Sequence, residues 1–110
     1  MPKVKPIPDE YCGATPYLSI TGAAEAIEFY KNAFGARETM RIPAPAGKIA
    51  HAEIRIGKAA IMLADEYPEM NFRSPQSLGG TPVNILIYVN DVDALVKRYE
   101  QDFPEQVVRE

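Results

Sequence analysis

Apolar and polar positions switch between two periods along this chain, and the switches mark the elements. Tyr17 to Ile20 alternate, which predicts a short strand. From Ala26 the spacing becomes helical: Ala26, Ile27, Tyr30, Ala33 and Phe34 fall on one stripe, predicting a helix over 23–34. Thr21 is placed to cap its start, Glu25 sits in the first turn where the dipole favours an acid, and Gly35 stands where a terminating glycine belongs. Residues 37–42 read as a strand running into the loop Pro43 to Gly47. Residues 48–56 alternate, with Ala50, Ala52, Ile54 and Ile56 on one face and Ile49, His51, Glu53 and Arg55 on the other. Gly57 and Lys58 turn the chain back into Ala59 to Ala64, apolar on both faces. The first two-thirds therefore predicts β-α-β-β-β, with the Ile27/Tyr30/Phe34 stripe packed on the Ala50/Ala52/Ile54/Ile56 face.

Residues 65–82 hold Pro68, Pro75, Pro82, Gly79 and Gly80 and read as a connector, of a length that is often functional inside a compact domain. Residues 83–89 read as a strand, Asn90 and Asp91 as a cap, and Val92, Leu95, Val96 and Tyr99 as a second helical stripe. A strand-then-helix opening thus occurs twice, at 17–34 and at 83–99. Residues 1–16, with Pro2, Pro6, Pro8 and Pro16, predict an extended arm, and Pro104 a break within the tail 101–110.

Composition narrows the partners. The chain has 110 residues, 46% hydrophobic and 25% charged, which is the balance of one folded domain. Twelve Lys+Arg are scattered among fifteen Asp+Glu for a net charge of −3, so no nucleic acid and no membrane surface is expected as a partner. One cysteine, Cys12, leaves no internal disulfide and no Cys-built zinc site. Without an apolar run of membrane-spanning length or a signal-like start, a cytoplasmic protein is the expectation.

Four segments taken in order, ATPYLSITGAAEAIEFYKNAFGA, KIAHAEIRIG, AIMLADEYPE and SPQSLGGTPVNILIYVNDVDALV, resemble the PhnB-like branch of the glyoxalase/bleomycin-resistance/extradiol-dioxygenase superfamily, the vicinal oxygen chelate proteins. The resemblance implies an α+β fold: two βαβββ modules in a curved mixed sheet around a ligand cavity, helices on the convex face, the first strands of the modules side by side. It implies a single domain in which 17–64 form the first module and 83–100 part of a second, without its last three strands. Metal-dependent members take His, Gln or Glu ligands from these strands. Here the corresponding positions are Thr15, Tyr17 and Ser19, then Asn84, Leu86 and Tyr88, and the chain has one histidine. No metal and no cofactor is therefore expected.

The remaining chemistry is sparse. His51 and Glu53 project from one strand face and could line the cavity, His51 as acid or base. They could equally be a solvated polar face, with Glu53 paired to Arg55 or Lys48; no nucleophile stands beside them, which favours this second account. Asp65 and Glu66 read as solvated loop acids, Cys12 (where relatives carry histidine) as a small packed residue. The cavity candidates are Tyr17, Ser19, His51, Glu53, Asn84, Leu86 and Tyr88. The expected function is metal-free binding of a small organic molecule. The alternatives are a metal-dependent glyoxalase or dioxygenase and a truncated, self-associating member without a ligand. Apolar on both faces, the 83–89 strand predicts an open edge that a second copy covers as a homodimer, by segment exchange or edge pairing; the competing arrangement folds Val107 and Val108 back onto that edge.

Overall fold

A computed structural model of the chain describes residue 6, residues 8–11 and residues 13–102. Cys12, Pro104, the tail with Val107 and Val108, and the side chain of Tyr99 lie outside the described residues. The elements are β1 (Tyr17–Ile20), α1 (Ala23–Phe34), β2 (Arg37–Pro43), β3 (Ile49–Ile56), β4 (Ala59–Asp65), α2 (Pro75–Leu78) and α3 (Val92–Asp102), with single 3-10 turns at Pro45–Gly47 and Pro68–Met70. The β-α-β-β-β order expected from the periodicity is present almost residue for residue.

The four strands form one curved mixed sheet in the order β1-β4-β3-β2. β1 runs parallel to β4, with Tyr17 opposite Met62 and Ser19 opposite Ala64, and the other neighbours are antiparallel. α1 covers one face. Ile27 is fully buried there against Ile49, Ala52, Ile54, Ile61 and Leu63, with Leu18, Ile20 and Tyr30 packed around them. Each large apolar side chain so buried contributes about 1.5–3 kcal/mol. Phe34 leaves this contact and joins Phe29 and Tyr30 in a cluster of rings along the helix flank. α3 lies against α1. No helix among the described residues is long and apolar enough to cross a membrane.

Three local expectations need correction. First, Thr21 does not cap α1. The cap residue is Gly22, in the left-handed region at φ 81°, and it offers no side chain. The capping acceptor comes from the end of the neighbouring strand β4, where Asp65 lies opposite Ile20: Asp65 Oδ1 accepts the N–H groups of Gly22 and Ala23, both at 3.1 Å. Asp65 is thus a buried structural acid, 6% exposed, and its Oδ2 accepts Ile49 N–H at 2.7 Å. It is not a solvated loop acid. Glu66 is likewise engaged, accepting from Ser74 Oγ at 2.9 Å and from Ser77 Oγ.

Second, Ala50 is not on the helix face. The β2–β3 register shifts between Ile42 and Pro43, so that Ile42 faces His51 while Pro43 faces Ile49. This irregularity breaks the alternation: Ile49 enters the helix-side core and Ala50 lines a cavity on the opposite face.

Third, residues 83–89 form no strand in the described structure. They run past the outer edge of β1 and the β3–β4 turn, with Leu86 76% and Tyr88 89% exposed. Consequently β1 is an edge strand and not the centre of a larger sheet. The apolar run is present, but an extended segment becomes a strand only when a ladder satisfies its backbone groups, and this segment forms no ladder with the open edge of β1. Asp91 does cap α3 as expected, its Oδ1 accepting Ala94 N–H at 2.9 Å.

Candidate functional site

The face of the sheet turned away from α1 carries the side chains that could meet a ligand. Register places Tyr17 and Ser19 of β1, Met62 and Ala64 of β4, and His51 and Glu53 of β3 on it. Two polar groupings occupy this face, and they differ in how much of their bonding capacity is already used.

The first grouping joins β1 to β3 across β4. Tyr17 Oη lies 2.7 Å from His51 Nδ1, and the two rings are 5.4 Å apart between centroids. With a neutral imidazole carrying its proton on Nε2, the Tyr17 hydroxyl donates to Nδ1 and leaves Nε2–H for another acceptor. Phe72, from the loop after β4, stands nearly perpendicular to Tyr17 at 77° and 5.7 Å. Beside these rings is a cavity of about 410 Å³ lined by Tyr17, Ala50, Ala64, Tyr67, Met70 and Phe72. That volume is in the range of small-molecule sites. Desolvation, with Tyr67 as a second cause, holds the Tyr17 phenol above its ordinary pKa.

The second grouping is closed. Glu53, 5% exposed, accepts from the Tyr11 hydroxyl and from Thr39 Oγ1, the latter at 2.8 Å, and pairs with Arg55 at 3.4 Å. The Arg55 guanidinium lies over the Tyr11 ring at 5.2 Å and also donates to Glu10 O at 3.0 Å. Glu10 and Tyr11 of the amino-terminal arm are therefore pinned across Glu53 and Arg55. Hydrogen bonding from Tyr11, then Thr39, and the Arg55 charge hold the Glu53 carboxyl below its ordinary range against the opposing cost of burial. The same bond raises the Tyr11 phenol.

Of the sequence candidates, the structure brings Tyr17 and His51 into contact and sets Ser19 beside them on β1, its Oγ buried without a hydrogen-bond partner. Glu53 shares the face but is covered by Tyr11. The pairing with Arg55 is present, while the expected solvated face is not. Asn84, Leu86 and Tyr88 lie on the extended 83–89 segment, with Leu86 and Tyr88 beside the β3–β4 turn and away from His51. Tyr67, Met70 and Phe72 were missed. The signal was the connector itself, whose length marked it as functional and whose aromatic residues are the ones turned to the sheet. Among the described residues no three His, Cys, Asp or Glu side chains are close enough together to hold a metal ion.

Residues 17–103 match the sequence model of the Glyoxalase/Bleomycin resistance protein/Dioxygenase superfamily. The chain belongs to this superfamily. An uncharacterized protein of Mycobacterium bovis is 47% identical over 87 residues, covering 76% of this chain and 57% of that protein. A counterpart in Mycobacterium tuberculosis is also 47% identical, with 51% of its length covered. This chain thus spans a little over half the length of the curated relatives it matches. Among solved structures, a similar architecture occurs in a gene product of Arabidopsis thaliana, with a TM-score of 0.62 at 21% identity, covering 83% of this chain and 70% of that one. It recurs in TioX of a Micromonospora species, with a TM-score of 0.57 at 20% identity, covering 84% and 71%. At these identities the likeness speaks for the fold alone.

Proposed function

We propose that this superfamily member, of the PhnB-like branch, binds a small organic molecule in the open-face cavity without using a metal. The observation that carries the reading is the Tyr17–His51 pair at 2.7 Å beside an apolar cavity of about 410 Å³. An apolar pocket with a few convergent polar groups is the usual form of a ligand site. Tyr17 Oη supplies a polar contact, with His51 hydrogen-bonded to it from outside the lining; Ala50 and Ala64 leave room; Phe72 supplies a flat wall. The absence of a metal role rests on residue chemistry, since Tyr17 and Ser19 are poor ligands for a divalent ion and His51 is the chain's one histidine. A calorimetric screen of planar aromatic and other small organic compounds against the purified protein tests this. A hit whose affinity falls at least about tenfold in Tyr17→Ala and His51→Ala supports the reading. Hits indifferent to both substitutions defeat it.

In this reading the protein works in the cytoplasm as a homodimer. The exposed Leu86 and Tyr88 and the free outer edge of β1 are the surfaces a second copy would cover, by edge pairing or by exchange of the 83–99 segment. Sedimentation at micromolar concentration tests the dimer: a species of twice 12.2 kDa is expected, and a species at 12.2 kDa defeats it.

A further inference from the structure

The loop over the cavity is built to hold two aromatic rings against the sheet. Tyr67 and Phe72 exchange both backbone bonds, Tyr67 N–H to Phe72 O at 2.7 Å and Phe72 N–H to Tyr67 O at 3.0 Å. Directly opposed residues of such an antiparallel bridge project to the same side. The chain reverses between them through Pro68–Met70 and through Asn71, which takes the left-handed conformation at φ 58°. Tyr17 rises from β1 to meet Phe72 edge to face. Three aromatic rings and the Met70 thioether thus surround one cavity whose lining contains no formally charged side chain.

We propose that this cavity takes an organic cation, a methylated or quaternary ammonium group, held by cation–π contact with Tyr17, Tyr67 and Phe72. The inference rests on the reading of the cavity as the ligand site and names the class of ligand. Aromatic faces carry negative potential and attract a weakly hydrated cation within about 6 Å of the ring centroid. Walls set at 77° enclose a compact tetrahedral head group more fully than a flat ring, which could stack on only one of them. A primary ammonium would demand three acceptors, and the lining offers two phenol oxygens. An anion would find no lysine or arginine in the lining. When Tyr17 donates to His51, its ring becomes richer in electrons, which strengthens the contact.

The test is an NMR titration of the purified protein at about pH 8. The probes are choline and its uncharged analogue with a tert-butyl group in place of trimethylammonium. Choline should bind about tenfold more tightly than the analogue. Phe72→Leu keeps the apolar bulk and removes a π face; it should cut the preference to below about threefold. Tyr17→Phe should retain the preference. Equal binding of the two probes overturns the cation inference and leaves the cavity as the ligand site. Binding of neither overturns both. An undiminished preference in Phe72→Leu also overturns the aromatic account.

Discussion

Removing the Asp65 carboxylate should unfold the module more effectively than deleting a large core side chain. One buried acid serves three backbone donors that no neighbouring residue can satisfy: Gly22 and Ala23 at the start of α1, both at 3.1 Å, and Ile49 at the start of β3, at 2.7 Å. Hydrogen bonds to a charged group contribute about 1.5–3 kcal/mol each, and an orphaned buried donor costs a similar amount. Ala23 is fully buried and Ile49 2% exposed, so water cannot replace the carboxylate at either. Gly22 is partly exposed and can turn to water. Two full losses and one partial loss place Asp65→Ala at about 3–6 kcal/mol, a large share of the roughly 5–15 kcal/mol that holds a typical domain. Asp65→Asn keeps an acceptor for the helix start but turns an amide donor toward Ile49 N–H, and should cost about 2–4 kcal/mol. Urea unfolding followed by circular dichroism reads both, with the slope checking that the unfolded state is unchanged. Loss of less than about 1 kcal/mol in Asp65→Ala would refute the reasoning, because the three donors would then have other partners.

Other substitutions test other parts of the structure. Ile54→Asp places a carboxylate at a fully buried position under α1 and should prevent folding; wild-type-like thermal unfolding would show that face to be solvated. The Tyr11–Glu53 contact should make arm docking sensitive to pH at both ends. Glu53 is lowered in the folded state, so its contribution is present above the ordinary carboxylate range and is lost as pH falls through the lowered value. Tyr11 is raised, so its contribution is present below about pH 10 and is lost as pH climbs through the raised value. Hydrogen exchange at residues 8–16 should report both losses in the wild type, and Tyr11→Phe should open the arm at neutral pH; an arm equally protected in that variant would show that Arg55 alone holds it. Elemental analysis of the purified protein should find less than one equivalent of divalent metal, and a stoichiometric metal lost on substituting His51 or Glu53 would overturn the metal-free account.

The local elements of the first module were legible because each is encoded within a few residues of itself. The Ile27 stripe, Gly35 as the helix stop, the alternation of β3 from His51 onward and the apolar run of β4 fix the type of their elements. What the sequence hid depends on residues far apart in the chain. Asp65 caps a helix that begins 42 residues earlier, a role no spacing rule anticipates. Tyr11 reaches Glu53 across the same separation, so a carboxylate that alternation assigns to a polar face is in fact buried. The shift at Ile42 and Pro43 moves Ala50 from one face to the other, and bulges carry weak sequence signatures. The candidate site was half legible: Tyr17, Ser19 and His51 follow from strand register, whereas Tyr67 and Phe72 depend on a loop whose conformation no periodicity dictates. The strand expected at 83–89 failed for a complementary reason, since apolar β-rich sequence supplies the tendency to pair but not the partner.

The most direct test of the open-face site uses the chain's single histidine. The imidazole of His51 gives one set of ring resonances, and these sit 2.7 Å from the Tyr17 hydroxyl at the edge of the cavity. Heteronuclear NMR of the ring during titration with a compound found by calorimetry should show the His51 signals moving and saturating with the calorimetric dissociation constant. In Tyr17→Phe the free protein should already show shifted His51 signals, because the hydroxyl partner is gone. A compound that binds with measurable heat while the His51 resonances stay fixed would place the ligand elsewhere and contradict the account.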